Sequence, residues 1–133
     1  MSNDRKIDAA IGLLGLGKIY PHTFTDNNQQ CSLCGNGAAN EVICYSAVPN
    51  FGTSIEDASD LLAVLMKEAP DGIEVIHNKA LDQFELVYKG KNTTDNYIVI
   101  SKSAAEGIRK LAIYHFNIDI NQVTDKVSFN LQV

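Results

Sequence analysis

The stretch IEVIHNKALDQFELVYKGKNTTDNYIVIS, residues 73–101, decides the fold. It breaks into three runs rich in β-branched and aromatic residues, at about 73–77, 82–88 and 96–101, with polar residues between them. The links, Asn78-Lys79 and the longer Gly90 to Asn96, are too short for a crossover. Successive runs therefore pair antiparallel, as a meander. Tyr97-Ile98-Val99-Ile100 is apolar on both faces, which predicts a central strand covered on both sides.

Working outward, a helix precedes this sheet. Thr53 and Glu56 match a capping box, in which hydroxyl and carboxylate each satisfy an amide of the first turn. Ile55, Leu62, Leu65, Met66 and Ala69 make its expected apolar face, and Pro70-Asp71-Gly72 ends it. A second helix follows the sheet, opened by Ser101 or Ser103 and running to about His115, with Ala104, Ile108, Leu111 and Ala112 inward. Further upstream, Asp4 to Leu14 reads as a helix with Ile7, Ala10, Ile11 and Leu14 on one face, stopped by Gly15 and Gly17. Residues 20–40 read as loop, and Glu41 to Val48 as a strand.

The tail from Val127 to Val133 alternates apolar and polar residues, the pattern of an edge strand with one wet face. Unpaired edges recruit a second chain, so a homodimer through this edge is an expectation. The fold class is α+β, an antiparallel β-sheet sandwiched between α-helices. One domain spans residues 1–133, with a loop-rich segment at 20–40 and a C-terminal extension at 119–133.

The composition suits a packed globule: 133 residues, 45% hydrophobic and 20% charged. Eleven basic side chains face sixteen acidic ones, for a net charge of −5, which argues against binding nucleic acid by phosphate neutralisation. Nine of the acidic residues lie between 51 and 100, against four lysines, so the helix over 54–69 offers an acidic face to a basic partner. A solvated face is the simpler reading of the same charges. No secretory signal and no membrane-spanning run is legible, and the odd count of three cysteines suits a reducing compartment. The expected location is cytoplasmic.

Several of these pieces occur together elsewhere. Pro49-Asn50-Phe51-Gly52-Thr53-Ser54-Ile55-Glu56-Asp57-Ala58 precedes an apolar helix and a hairpin. Cys31-Ser32-Leu33-Cys34-Gly35 lies upstream of it, and Ser103-Ala104-Ala105-Glu106-Gly107-Ile108 opens the last helix. Over residues 5–118 this arrangement resembles the phage ABA sandwich domain. Phe51 stands where that family usually has Tyr, Gly52 intrudes before Thr53, there is no Trp, and the tail from Asp119 is extra. The resemblance implies a phage or prophage origin and an α-β-α sandwich. It transfers no catalytic residue. The host implied is an infected bacterium.

Two constellations carry chemistry. Cys31 and Cys34, with Cys44 and His22, supply the four nitrogen and sulfur donors of a tetrahedral zinc site, and the glycine after Cys34 favours a tight metal-binding turn. The plainer reading is three reduced thiols packed as small hydrophobes. A thioredoxin-like role is disfavoured, because Gly-Asn-Gly-Ala follows Cys34 and is poor helix sequence. The second constellation is a small anion pocket. Helix starts at Thr53/Ser54 and Ser101/Ser103 offer free amides, Lys102 sits beside the second, Lys91 lies on the neighbouring hairpin turn, and Asn50 and Tyr97 could frame the site. Ordinary capping and a solvated turn explain the same residues. The histidines 22, 77 and 115 form no catalytic pattern.

Three functions follow from this reading, with binding favoured over catalysis. The first is a phage accessory protein that inhibits a host defence by binding, either sequestering a nucleotide signal or masking a host protein. The second is a zinc-stabilised structural or interaction module of phage physiology. The third is a small enzyme acting on nucleotides or amides.

Overall fold

A computed structural model describes residues 3–24, 30–35, 43–69, 71–90 and 96–120. It contains three α-helices and one three-stranded antiparallel sheet, so the fold is α+β as expected. The elements are α1 (Asn3–Ala10), a π-helical turn (Ile11–Gly15), a 3-10 turn (Tyr45–Ala47), α2 (Ile55–Glu68), β1 (Ile73–Asn78), β2 (Gln83–Tyr88), β3 (Tyr97–Ser101) and α3 (Ala104–His115). The chain divides into two compact units, Met1–Pro49 with Ile118–Val133, and Asn50–Asn117.

In the first unit, α1 begins one residue before its expected start and stops early. After Ala10 the backbone widens, and the Leu16 amide donates to the Ile11 carbonyl, five residues back. A π-turn rotates the residues that follow it out of phase. Ile7, Ala9, Ala10 and Ile11 are buried, but Leu14, expected on the same face, is exposed.

The strand expected over 41–48 is not formed by its described part. Tyr45–Ala47 is instead a 3-10 turn, followed by Val48 in extended conformation. The side chain of Arg5 accounts for this. Its guanidinium donates to the carbonyls of Tyr45 (2.6 Å), Val48 (2.7 Å) and Pro49 (3.2 Å) and pairs with the Asp8 carboxylate (3.0 Å). Three carbonyls converging on one cation cannot also point alternately outward into a strand ladder. Arg5 supplies the planar fork of donors that such a cluster needs. The edge strand expected at 127–133 and the dimer through it lie outside the described residues.

The second unit is built on the meander. β1 and β2 pair from Ile73↔Tyr88 to Asn78↔Gln83, and β2 and β3 from Phe84↔Ser101 to Tyr88↔Tyr97. The register puts Val75, Leu86 and Val99 on one face, with Tyr88 and Tyr97 towards one end of it. α3 packs on β2 and β3, and α2 packs on α3. Contact is close at one point, where a Cβ on Gly107 would lie 2.5 Å from a methyl of the fully buried Leu86.

The opposite face carries Ile76, Glu85 and Ile100 in one row and Glu74, Val87 and Ile98 in the next. Ile76, Ile98 and Ile100 are exposed there, Ile100 by 61%. This corrects the reading of residues 97–100 as a central, doubly covered strand: among the described strands β3 lies at the sheet's edge. A sandwich would need helices over this face as well as over the Leu86 face.

The helix ends follow capping chemistry with a shift of one residue. Ser54, not Thr53, caps α2, its hydroxyl accepting from the Asp57 amide (3.3 Å). Ser103 caps α3 in the same way through the Glu106 amide (3.3 Å). The buried face of α2 is Ala58, Leu61 and Leu65, while Ile55 and Met66 are exposed. α3 buries Ala105, Gly107, Ile108, Leu111 and Ala112, with Ala104 only half-buried. Among the described residues no helix is long and apolar enough to cross a membrane.

Candidate metal centre

The first unit folds its loop-rich segment around sulfur. Phe24 and Cys31 form an isolated antiparallel bridge, and the Ser32 amide donates to the Thr23 carbonyl (2.8 Å). The chain then turns tightly: the Gly35 amide donates back to the Cys31 carbonyl (2.8 Å), with Gly35 at φ +76°. That left-handed conformation favours glycine at this position. A third link, from the Cys44 amide to the Tyr20 carbonyl (2.8 Å), lays Cys44 beside the segment carrying His22.

These constraints bring together all four residues expected as ligands. One donor atom each from His22, Cys31, Cys34 and Cys44 lies within 4.8 Å of all the others. Cys31 Sγ is 3.7 Å from Cys44 Sγ, and Cys34 Sγ is 3.4 Å from His22 Nδ1. A tetrahedral zinc ion with Zn–S of about 2.3 Å and Zn–N of about 2.0–2.1 Å sets ligand edges of about 3.8 Å between sulfurs and about 3.5 Å between sulfur and nitrogen. Two edges thus have nearly the length the ion requires, and the rest need close by no more than about 1.3 Å. Cys31 and Cys44 are buried, His22 and Cys34 half-buried.

The electrostatics prepare this cluster for a cation. Burial alone would push the Cys31 thiol up. The amides of Cys34, Thr23 and Leu33 and the His22 side chain outweigh that and bring it down to about 5. The Thr23 and Leu33 amides point at its sulfur from 3.3 and 3.4 Å. Backbone donors aimed at a sulfur favour the thiolate, which is the form that binds metal. Cys44 moves the other way, raised by burial and by the neighbouring Cys31. In the absence of a cation the pair shares its charge unequally; a divalent ion would let both ionise. Among the described residues Cys31 and Cys34 do not open a helix: residues 32–34 form a turn, and Gly35 after it is left-handed.

The residues of the expected anion pocket lie at the starts of α2 and α3 and on β3. Ser54 and Ser103 spend their hydroxyls on their own helix starts. At α2 the Asp57 carboxylate also accepts the Asn50 amide (2.8 Å), so a negative group already occupies that end. Thr53 is exposed, its amide bonded to the Asn50 carbonyl. Lys102 is exposed and next to Ser103, but Tyr97 begins the strand that Ser101 ends, about 13 Å away along β3. Tyr97 is stacked on Tyr114, with centroids 4.0 Å apart. Lys91 lies outside the described residues.

A second polar cluster escaped the sequence reading. The Tyr88 hydroxyl lies 2.8 Å from His115 Nδ1, and His115 Nε2 lies 2.9 Å from Glu68 Oε1. Glu68 and His115 end two different helices, 47 residues apart, and nothing in local spacing marks them as partners. The same holds for the amides of Thr23 and Leu33, whose role belongs to the backbone. Compared with family models, with curated proteins and with solved structures, the chain matches none.

Proposed function

We propose that this protein is an interaction module whose first unit is held in shape by a structural zinc ion on His22, Cys31, Cys34 and Cys44. One observation supports this above all: four nitrogen and sulfur donors, from three separated points of the chain, gather within 4.8 Å. An all-protein set of three thiolates and one imidazole leaves no coordination position open for a substrate, which is the mark of a structural zinc site. The ion would tie the Phe24–Cys31 bridge, the turn at 32–35 and the segment before Tyr45 into one body. An interaction role is supported by the exposed isoleucines 76, 98 and 100, since apolar surface left open on a sheet commonly meets a partner. The resemblance over residues 5–118 implies a phage or prophage origin, and the partner in this reading is a bacterial host's defence protein or a nucleotide signal.

Reconstitution with zinc, followed by elemental analysis, tests the reading. One equivalent per chain is expected, with loss of the ion in Cys31→Ser and Cys44→Ser. Cobalt in place of zinc should give the intense visible bands of a tetrahedral thiolate site. A folded wild-type chain that takes up neither metal would overturn the proposal.

A further inference from the structure

The three cysteines of the metal centre are not equally reachable. Cys31 and Cys44 are 3% and 0% exposed. Cys34 is half-buried and sits in a turn whose other members, Ser32, Leu33 and Gly35, are all exposed. An agent arriving from solvent therefore meets one sulfur first. Once it has reacted, a second nucleophilic sulfur lies within 4.8 Å.

We infer that Cys34 is a modification site, at which a hydroperoxide oxidises the sulfur and so empties the metal centre. The inference rests on the zinc reading above. In the first step Cys34 Sγ attacks the outer oxygen of the hydroperoxide. The O–O bond breaks, the alcohol (or water) leaves with a proton from solvent, and Cys34 becomes a sulfenic acid. In the second step the Cys31 thiolate attacks the Cys34 sulfur. The S–O bond breaks, hydroxide leaves, and a Cys31–Cys34 disulfide forms. Two thiolates have lost two electrons, and the peroxide oxygen has gained them. Only His22 and Cys44 then remain as donors, too few for a tetrahedral zinc ion, and the ion departs. A thiol reductant reverses the disulfide and restores the site.

Geometry favours this order over direct joining of Cys31 and Cys44. Those two sulfurs are 3.7 Å apart, but both are closed to solvent, so neither meets the oxidant before Cys34 does. Cys31 is the resolving partner because it opens the same tight turn as Cys34, within 4.8 Å of it, with its sulfur fixed by the Thr23 and Leu33 amides at 3.3 and 3.4 Å. The step alters a site that would otherwise be purely structural, and couples the shape of the first unit to the peroxide level around it.

The test uses the full-length, zinc-loaded protein. Hydrogen peroxide is added with dimedone, a trap for sulfenic acids, and zinc release is followed with a chromogenic chelator. Peptide mass mapping then locates the adduct. The expected result is a dimedone adduct on Cys34. Without the trap, zinc release should be matched by loss of two hydrogen masses and a Cys31–Cys34 disulfide, and a Cys34–Cys44 disulfide would overturn the assignment of Cys31 as resolving partner. Cys34→His keeps a four-donor set and should hold zinc yet lose the peroxide-triggered release. An adduct first on Cys31 or Cys44, a disulfide that leaves Cys34 reduced, or release from Cys34→His at the wild-type rate overturns the inference. If that variant does not fold, the wild-type adduct map decides alone. Failure to bind zinc at all sinks the structural-zinc reading first, whereas zinc that stays bound under peroxide sinks only the modification site.

Discussion

Gly35 and Tyr88 show how single residues commit each unit. At Gly35 the backbone must pass through a left-handed conformation to return the Cys31 carbonyl to its own amide, and open space surrounds the Cα. Gly35→Ala therefore meets no clash and carries only the conformational cost, about 1–2 kcal/mol. That cost falls on the zinc-binding state, so zinc affinity should drop by about tenfold, measured by competition with a chelator. Tyr88 is raised above its ordinary value by burial, with smaller contributions from Tyr114 and Glu68. The folded chain thus keeps the Tyr88 proton to higher pH than the unfolded chain does. Its contribution to stability is complete below about pH 10 and is lost as pH rises through the folded value. Denaturant midpoints between about pH 9 and about pH 11 should fall more steeply in wild type than in Tyr88→Phe. At lower pH the same variant should cost about 0.5–1.5 kcal/mol, the worth of the hydrogen bond to His115. The donor pair Cys31 and Cys34 could be read from sequence because Cys-x-x-Cys-Gly is a local turn with its own geometry. The Glu68–His115–Tyr88 chain could not, because no local spacing joins two helix ends to a strand.

At the scale of elements, period and capping were legible while phase was not. α2 carries apolar residues at 55, 58, 61–66 and 69, which cover most of its circumference and admit two stripes. Packing against α3 selects Ala58, Leu61 and Leu65. β3 was misread for a related reason: apolar residues on both faces signal double burial only if something covers both. Here Ile98 and Ile100 face solvent. Ile98→Lys and Ile100→Lys should accordingly change stability by no more than about 0.5 kcal/mol by chemical denaturation, the range of ordinary surface substitutions. A doubly buried strand would lose several times that. The contact between α3 and β2 behaves in the opposite way. Gly107→Ala improves helix propensity by about 1 kcal/mol but forces a methyl onto Cδ1 of the fully buried Leu86. Overpacking costs about 1–3 kcal/mol, so a net loss is expected, and Leu86→Val in the same chain should recover part of it. Additive losses in the double variant would show that the two positions are not in contact.

At the scale of the whole molecule, the two units depend on different physics. The second, Asn50–Asn117, has a sheet, two capped helices and a core including Leu61, Leu65, Leu86, Ile108 and Leu111. Its stability comes from hydrophobic burial. The described part of the first unit has one short helix, and its described residues between Tyr20 and Val48 are joined by single hydrogen bonds, one isolated bridge and the Arg5 fork. Such a segment gains most from a metal, because binding energy there is folding energy. The difference was half-visible in the sequence. The Asn- and Gly-rich composition of residues 20–40 reads as loop, but Arg5, which gathers three carbonyls forty or more residues ahead, gives no local sign of doing so. Removing the ion should then act on one unit and spare the other. In amide hydrogen exchange with and without a strong chelator, protection at Ser32, Gly35, Cys44 and Ala47 should collapse in the chelated protein. The ladder amides of β1 to β3 and the amides of α3 should exchange at unchanged rates. Equal acceleration in both units would mean that the ion supports the whole molecule and not the loop segment alone. No change anywhere would mean that the hydrogen bonds around Cys31 suffice without it.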